Sequence, residues 1–312
     1  MSFAFKRKET IHKAVGRLAK NCVTSALEDT RADEFQSIHG ARKQIKRMRA
    51  VLRLVRAEIG QSDYKRRKVQ LREIAEYLAP ARDAYIQKQT FEHLTRTRPT
   101  IHASRLEAAL QRECRKQMQQ FCKRGSWKQV RQMLEKEARC FGRLKFKHRG
   151  WAAIQPGIKK SYKAAQKARD IATATPTAGN LHEWRKRVKD LWYNISLLER
   201  IWPEQMCALA QELEHLGDLL GDHHDLHVLR STVIKKSRKT ELKVEADALL
   251  PLIDARQREL CAQSLRLGRR LLREDPAEYC GRLHRYWKLW KQKRPPSSRL
   301  KKRPVLAIFP QS

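Results

Sequence analysis

From Ile38 to Ile59 the apolar residues stand at spacings of three and four: Ile38, Ala41, Ile45, Met48, Leu52, Val55 and Ile59. That alternation puts all of them on one stripe of a helix, and such a stripe must be covered by other helices. The stripe returns 143 residues later as Leu181, Trp184, Val188, Leu191, Ile195 and Leu198. A second block returns at a shift of 142, where Leu71, Ile74, Leu78 and Asp83 fall on Leu213, Leu216, Leu220 and Asp225. Two blocks in the same order at nearly the same spacing define an internal duplication. The chain is therefore expected to be all-α, with two homologous helical halves of about 140 residues related by pseudo-twofold symmetry.

The rest of the sequence agrees with helices. Only 12 glycines are present and runs of β-branched residues are absent. One helix is predicted from about Arg31 to Ile59, opened by a capping box of Thr30 and Asp33. The small residues and single proline of Ala172–Gly179 read as a linker. The stretch Lys291–Ser312, with Arg294-Pro-Pro and Lys301-Lys-Arg-Pro, reads as a basic disordered tail.

Charge sets the second constraint. The 312 residues include 69 Lys and Arg against 33 Asp and Glu, a formal net charge of +36. Leu, Ile, Val and Phe also number 69, only just above the level of about 20% below which a charged chain stays disordered. Compaction of such a chain is opposed by its own charge, so a polyanion that screens it is the expected partner. No apolar run approaches the roughly 18 residues of a membrane span. The first residues lack the apolar core of a secretory leader, so none is expected. Seven cysteines without a C-x-x-C pair read as reduced thiols of a cytoplasmic protein, not as a disulfide framework or a zinc ribbon. Glycine-rich nucleotide loops and a G-x-S-x-G elbow are missing, and aromatics at 7% are sparse for base stacking.

A basic stripe accompanies the apolar one. His39, Arg42, Lys46, Arg49, Arg53 and Arg56 each follow a core position by one residue, which is about 100° around a helix. They therefore flank the core seam instead of opposing it. No acid interrupts Arg42–Arg56, and the stripe recurs with His182 in the place of His39. From His39 to Arg53 it spans about 21 Å, a length suited to an extended polyanion. Arginine forks take phosphate oxygens in pairs, and lysine acts as a point charge. Asn180 is read as an N-cap, with His182 and Arg185 in the first turn where free N–H groups also favour anions. For His39 and His182 two readings stand: phosphate donors strengthened by protonation, or packing histidines bonded to backbone carbonyls.

His39-x-x-Arg42-Lys43-x-x-Lys46-Arg47-x-Arg49 and His182-x-x-Arg185-Lys186-x-x-Lys189, each followed by L-x-x-L-x-x-x-L and an Asp, resemble the CHAD family, the conserved histidine α-helical domain. The resemblance covers about residues 5–290 in two halves, roughly 5–150 and 151–290. It implies two four-helix bundles facing one another around a basic cavity. It also implies binding of inorganic polyphosphate and association with polyphosphate granules, without catalysis or a cofactor. Carried over by position, the binding residues are His39, Arg42, Lys43, Lys46, Arg47 and Arg49, then His182, Arg185, Lys186 and Lys189. Arg53 extends the first set, and Arg115 and Arg266 align with later basic positions of the family. Asp190 and Trp192 stand where the family commonly repeats Arg, so the second half should bring less charge to the cavity.

Three other features of the sequence admit a different chemistry. His223 and His227 are spaced for one metal ion, but Asp222 and Asp225 read as a capping box and the first copy has no matching His. Asp83 and Asp225 recur by symmetry, and capping or pairing with arginine accounts for them better than hydrolysis of a phosphate ester or polyphosphate. Nonspecific nucleic-acid or ribosome association, chiefly through the tail, is the main rival, since any basic protein gains from counterion release. No membrane partner is expected, and the oligomeric state stays open. If a polyanion screens the fold, adding one at low salt should raise the melting temperature; an unchanged value would remove that reason for the charge.

Overall fold

A computed structural model describes residues 3–28, 34–96, 103–238 and 240–292. Six helices form the first half: α1 (Ile11–Glu28), α2 (Glu34–Leu54), α3 (Gln61–Tyr77), α4 (Ala79–Arg96), α5 (Ser104–Lys123) and α6 (Ser126–Gly142). Five form the second: α7 (Gln155–Ala174), α8 (Ala178–Leu197), α9 (Pro203–Ser237), α10 (Thr240–Leu271) and α11 (Pro276–Lys291). Two short 3-10 turns precede α7 and α9, and no strand occurs among the described residues. No described helix is long and apolar enough to cross a membrane. Thr30, Asp33 and the tail beyond Gln292 lie outside the described residues.

The duplication is visible in the element order. The pair α1–α2 corresponds to α7–α8, and α3 with α4 corresponds to the single helix α9. The difference follows from one residue. Pro80 cannot donate to the preceding turn and its ring crowds the carbonyl four residues back. The helix therefore ends at Tyr77 and restarts at Ala79, with Pro80 in its first turn. The second copy has Asp222 at that place, and α9 runs unbroken for 35 residues. Asp222 and Asp225 are thus helix-interior residues, not the capping box expected from the sequence.

Two further boundaries depart from expectation. The linker shrinks to Thr175–Thr177, because α7 continues to Ala174. Thr177 caps α8 with its hydroxyl, accepting from the Asn180 N–H at 3.2 Å, and Asn180 Nδ2 donates to the Thr175 carbonyl at 2.8 Å. His182 and Arg185 consequently lie past the free N–H groups of the first turn, which removes the helix-end contribution to anion binding. The stripe residues Val55 and Ile59 fall after the end of α2, yet turns keep both buried.

The apolar cores do not follow the repeat boundary. The larger joins α1, α2, α3, α6, α7, α8 and α11 with the first part of α9. The smaller takes Phe91 of α4 and Leu106 of α5 from the first half, and Leu229 of α9 and Ile253 of α10 from the second. Charged groups pin these packings at their edges. The nearly inaccessible Arg67–Glu137 pair, 2.6 Å apart, ties α3 to α6. The Glu245 carboxylate of α10 accepts from the Leu106 N–H at 2.8 Å and the Arg105 N–H at 3.2 Å, capping α5 from the other half.

The two halves approach closely at Gly157 of α7. A Cβ there would stand 2.0 Å from the Leu54 carbonyl oxygen at the end of α2. Backbone cannot yield as a flexible side chain can, so the helices would have to separate. Gly157→Ala is expected to destabilise the protein by about 1–3 kcal/mol, the range for overpacking. Gly142→Ala, where a Cβ meets nothing within 4 Å, serves as the control and should stay within about 0.5 kcal/mol of the parent in a denaturant titration.

Candidate functional site

Between α2, α3, α7 and α8 lies a cavity of about 910 Å³. Eleven Lys and Arg side chains line it, against two carboxylates. From α2 come Lys46, Arg49 and Arg53, and from the turn after it Arg56, the flank that follows the core stripe. Lys68 of α3 and Lys160 and Lys167 of α7 add a second wall. Helix α8 supplies Arg185, Lys186, Arg187 and Lys189. The α8 residues come from both sides of its core stripe, so this helix does more than the one-sided stripe expected of it.

Both carboxylates are engaged. Glu183 pairs with Lys186 and Arg187. Asp190 pairs with Arg53 across the cavity and lies 4.0 Å from Arg187. Burial outweighs these cations and raises the Asp190 carboxyl above its ordinary pKa. Asp190 thus sets its carboxylate against an arginine of the first half, while the second half still supplies six of the eleven cations. Trp192 acts otherwise: its ring lies 4.5 Å from the Lys189 ammonium and holds that cation in place.

The basic stems rest on small residues. A Cβ at Gly217 would come 2.7 Å from Lys189 Cε, and one at Gly221 would come 3.2 Å from Arg185 Nε. These two glycines stand four apart on α9 and form the shelf over which Arg185 and Lys189 extend. In the first half Arg42 donates to the carbonyl of Ala75, the repeat mate of Gly217, at 2.8 Å. The Nε atoms of Arg42, Arg49, Arg53 and Arg185 are buried and have no acceptor among the described residues. Such donors can be satisfied by anionic oxygens.

Lys46 is the extreme case. No ion pair among the described residues includes it, although it is exposed to the cavity. Enclosure by the protein, with Arg185, Arg82, Arg42 and Lys189 around it, pushes its pKa down to about 7. The histidines beside it are also held neutral. Burial and then Lys46 lower the pKa of His39, and burial and then Lys186 lower that of His182. His224, whose ring centre is 3.9 Å from that of His182, is pushed to about 3, mainly by burial. An anion entering this region would reverse those shifts by favouring the protonated forms.

Of the residues expected from sequence, Lys46, Arg49, Arg53, Arg185, Lys186 and Lys189 line the cavity. His39, Arg42 and His182 sit at its edge, in a group with Arg82, Asp83, His224 and Asp225. Lys43 is exposed on α2 and does not line it. Arg47 lies on the opposite flank of α2, because it precedes Met48 where Lys46 follows Ile45. There its guanidinium covers the Phe3 ring at 4.9 Å, and Phe3 meets Tyr193 edge-on at 6.2 Å. The Phe5 N–H donates to the Leu197 carbonyl at 2.9 Å, so the N-terminal segment covers this side. Arg115 on α5 and Arg266 on α10 are exposed and are not part of the cavity wall. Sequence reasoning missed Lys68, Arg187, Lys160 and Lys167; the last two are seven apart, a spacing that puts them on one face. It also passed over Gly217 and Gly221. Asp83 pairs with Arg82 at 3.0 Å, and no cluster suited to a metal ion occurs among the described residues.

The CHAD domain family model matches residues 10–234. The crystal structure of the CHAD domain from the plant Ricinus communis is similar in fold, with TM-score 0.63 and 17% identity, over 88% of this chain and 95% of that one. PptA from Streptomyces chartreusis is similar with TM-score 0.61 and 13% identity, over 84% of this chain and 99% of that one. No curated protein matches.

The depressed Lys46 pKa has a consequence for stability. The unfolded chain binds this proton up to about 10.5, and the folded chain gives it up at about 7. The penalty is therefore complete below pH 7 and fades as pH rises towards 10.5. Lys46→Met should raise the melting temperature by a few degrees at pH 6 in dilute buffer free of phosphate, and the gain should shrink steadily above pH 7. A constant or negative difference across that range would contradict the electrostatics described.

Proposed function

The chain belongs to the CHAD domain family, and on that premise we propose that it binds inorganic polyphosphate in the basic cavity. The observation that carries this reading is the cavity wall itself, with eleven cations against two carboxylates that are already paired. Polyphosphate brings about one negative charge per unit and no bulky base, so a narrow space among arginine forks suits it. The buried Nε donors without acceptors supply directional contacts that a diffuse counterion cloud would not use. Binding would release counterions and restore the proton that Lys46 has partly lost.

The protein acts in this reading as a cytoplasmic, granule-associated binding factor or scaffold, without catalysis. Both cavity carboxylates are committed to arginine or lysine, which leaves neither as a ready general base. The basic tail adds a nonspecific contribution to any polyanion.

A competition titration at physiological salt tests the reading, with labelled long-chain polyphosphate against duplex DNA and structured RNA at equal phosphate concentration. Polyphosphate should win by more than about tenfold. Lys46→Glu combined with Arg185→Glu should weaken polyphosphate binding by about a hundredfold or more, as expected for reversing two central contacts. Equal competition by all three would make the charge generic. Undiminished binding in the double variant, with loss only on removing residues 293–312, would move the site to the tail.

A further inference from the structure

We propose that Lys46 is a modification site: its amine takes the acyl group from an acyl phosphate anchored in the same cavity, and the resulting amide weakens anion binding there. The inference rests on the reading of the cavity as a phosphate site.

The two repeat-related lysines, Lys46 and Lys189, carry the case. Lys189 is fixed as an ammonium by Asp218 at 2.8 Å and by the Trp192 ring at 4.5 Å. In the first copy the place of Asp218 is taken by Glu76, which pairs instead with Arg72 at 3.1 Å. The place of Trp192 is taken by Arg49. So the second copy gives its lysine a carboxylate and an indole face, and the first gives its lysine another cation. The charged groups that face Lys46 are His39 and Arg42 on its own helix, Arg82 on α4, Arg185 and Lys189 on α8, and Asp225 on α9. Asp225 alone among them favours the ammonium. The amine's pKa is accordingly pushed down to about 7 by enclosure and these cations, which favours the free amine, the nucleophilic form.

Reagent class follows from the neighbours. Arg42 and Arg185, both among the cations acting on this amine, present buried Nε donors without acceptors among the described residues, so the preferred electrophile carries a phosphate. In the step, the Lys46 nitrogen lone pair attacks the acyl carbon. The bond from that carbon to the bridging oxygen breaks, and its electron pair leaves with inorganic phosphate. The proton from nitrogen passes to the departing phosphate or to water. An amide and hydrogen phosphate result, with no change of oxidation state. The product lacks the central cation, so the cavity holds polyanions less firmly.

The full chain would be treated with acetyl phosphate from pH 6 to 10, and initial acetylation rates at each lysine read by peptide mass mapping. Lys46 should react at least about tenfold faster than Lys189 at pH 7. At subsaturating acetyl phosphate, where the rate reports the free protein, the Lys46 rate should level off above about pH 7, while outer lysines continue to rise towards pH 10. With p-nitrophenyl acetate, an uncharged donor, its lead over other lysines should fall, and polyphosphate should protect it from acetyl phosphate. Acetylated protein should bind polyphosphate more weakly, and Lys46→Arg chains should not show that drop after the same treatment. Equal rates at Lys46 and Lys189, or the same lead with both donors, would overturn the inference. If polyphosphate binds but Lys46 shows no lead, the modification fails and the cavity reading stands. Selective acetylation by acetyl phosphate without polyphosphate binding would keep Lys46 and overturn the polyphosphate reading.

Discussion

The seam between α2 and α8 holds two rows of cations near one another, and the rest of the structure answers to that fact. Ile45, Met48, Val188 and Leu191 are each buried to within 1%. Burial of such a side chain is worth about 1.5–3 kcal/mol. Two like charges about 4 Å apart oppose by about 1 kcal/mol in water and about 4 kcal/mol at an effective dielectric constant of 20. The seam therefore holds only while its cations remain spread apart and open to solvent. An open cavity between the helices supplies both conditions. Glycine and alanine shelves let the stems lie flat, Asp190 and Asp218 neutralise two positions, and Lys46 sheds part of its proton. Each of these is a local response to one packing demand.

Much of this was legible in the sequence because it depends on period alone. The core stripe, its displaced cations and the duplication are all statements about spacing, and spacing survives the change from chain to helix. Six of the expected binding residues stand on the cavity wall for that reason. What was illegible depends on where a helix begins. Asn180 and Asp222 have the chemistry of caps, yet Thr177 takes the first role and the unbroken α9 absorbs the second. Capping residues mark a boundary only if no neighbouring turn extends the helix past them.

The remaining differences are tertiary. Lys160 and Lys167 belong to α7, whose face towards the cavity is chosen by its packing on α8. Arg47 matches the family pattern by position, but a single residue places it on the other flank, under cover of Phe3. Its repeat mate Asp190 does line the cavity, so the two sides of the pseudo-twofold are unlike: one is open, and the other is covered by the chain's own N-terminal segment. Arg115 and Arg266 show the limit of alignment without a nearby apolar stripe to fix their direction.

Because each apolar core draws on both copies, neither copy is a self-sufficient unit. A protein of half this length could have closed the same cores only by pairing with an identical chain, and every feature near its axis would then have appeared twice. Covalent linkage of the two copies in one chain removes that obligation. Pro80 against Asp222, Arg47 against Asp190 and Arg49 against Trp192 are differences a strict homodimer cannot have. The duplicated chain is in this sense a dimer released from its symmetry, free to specialise one lysine while its twin stays anchored.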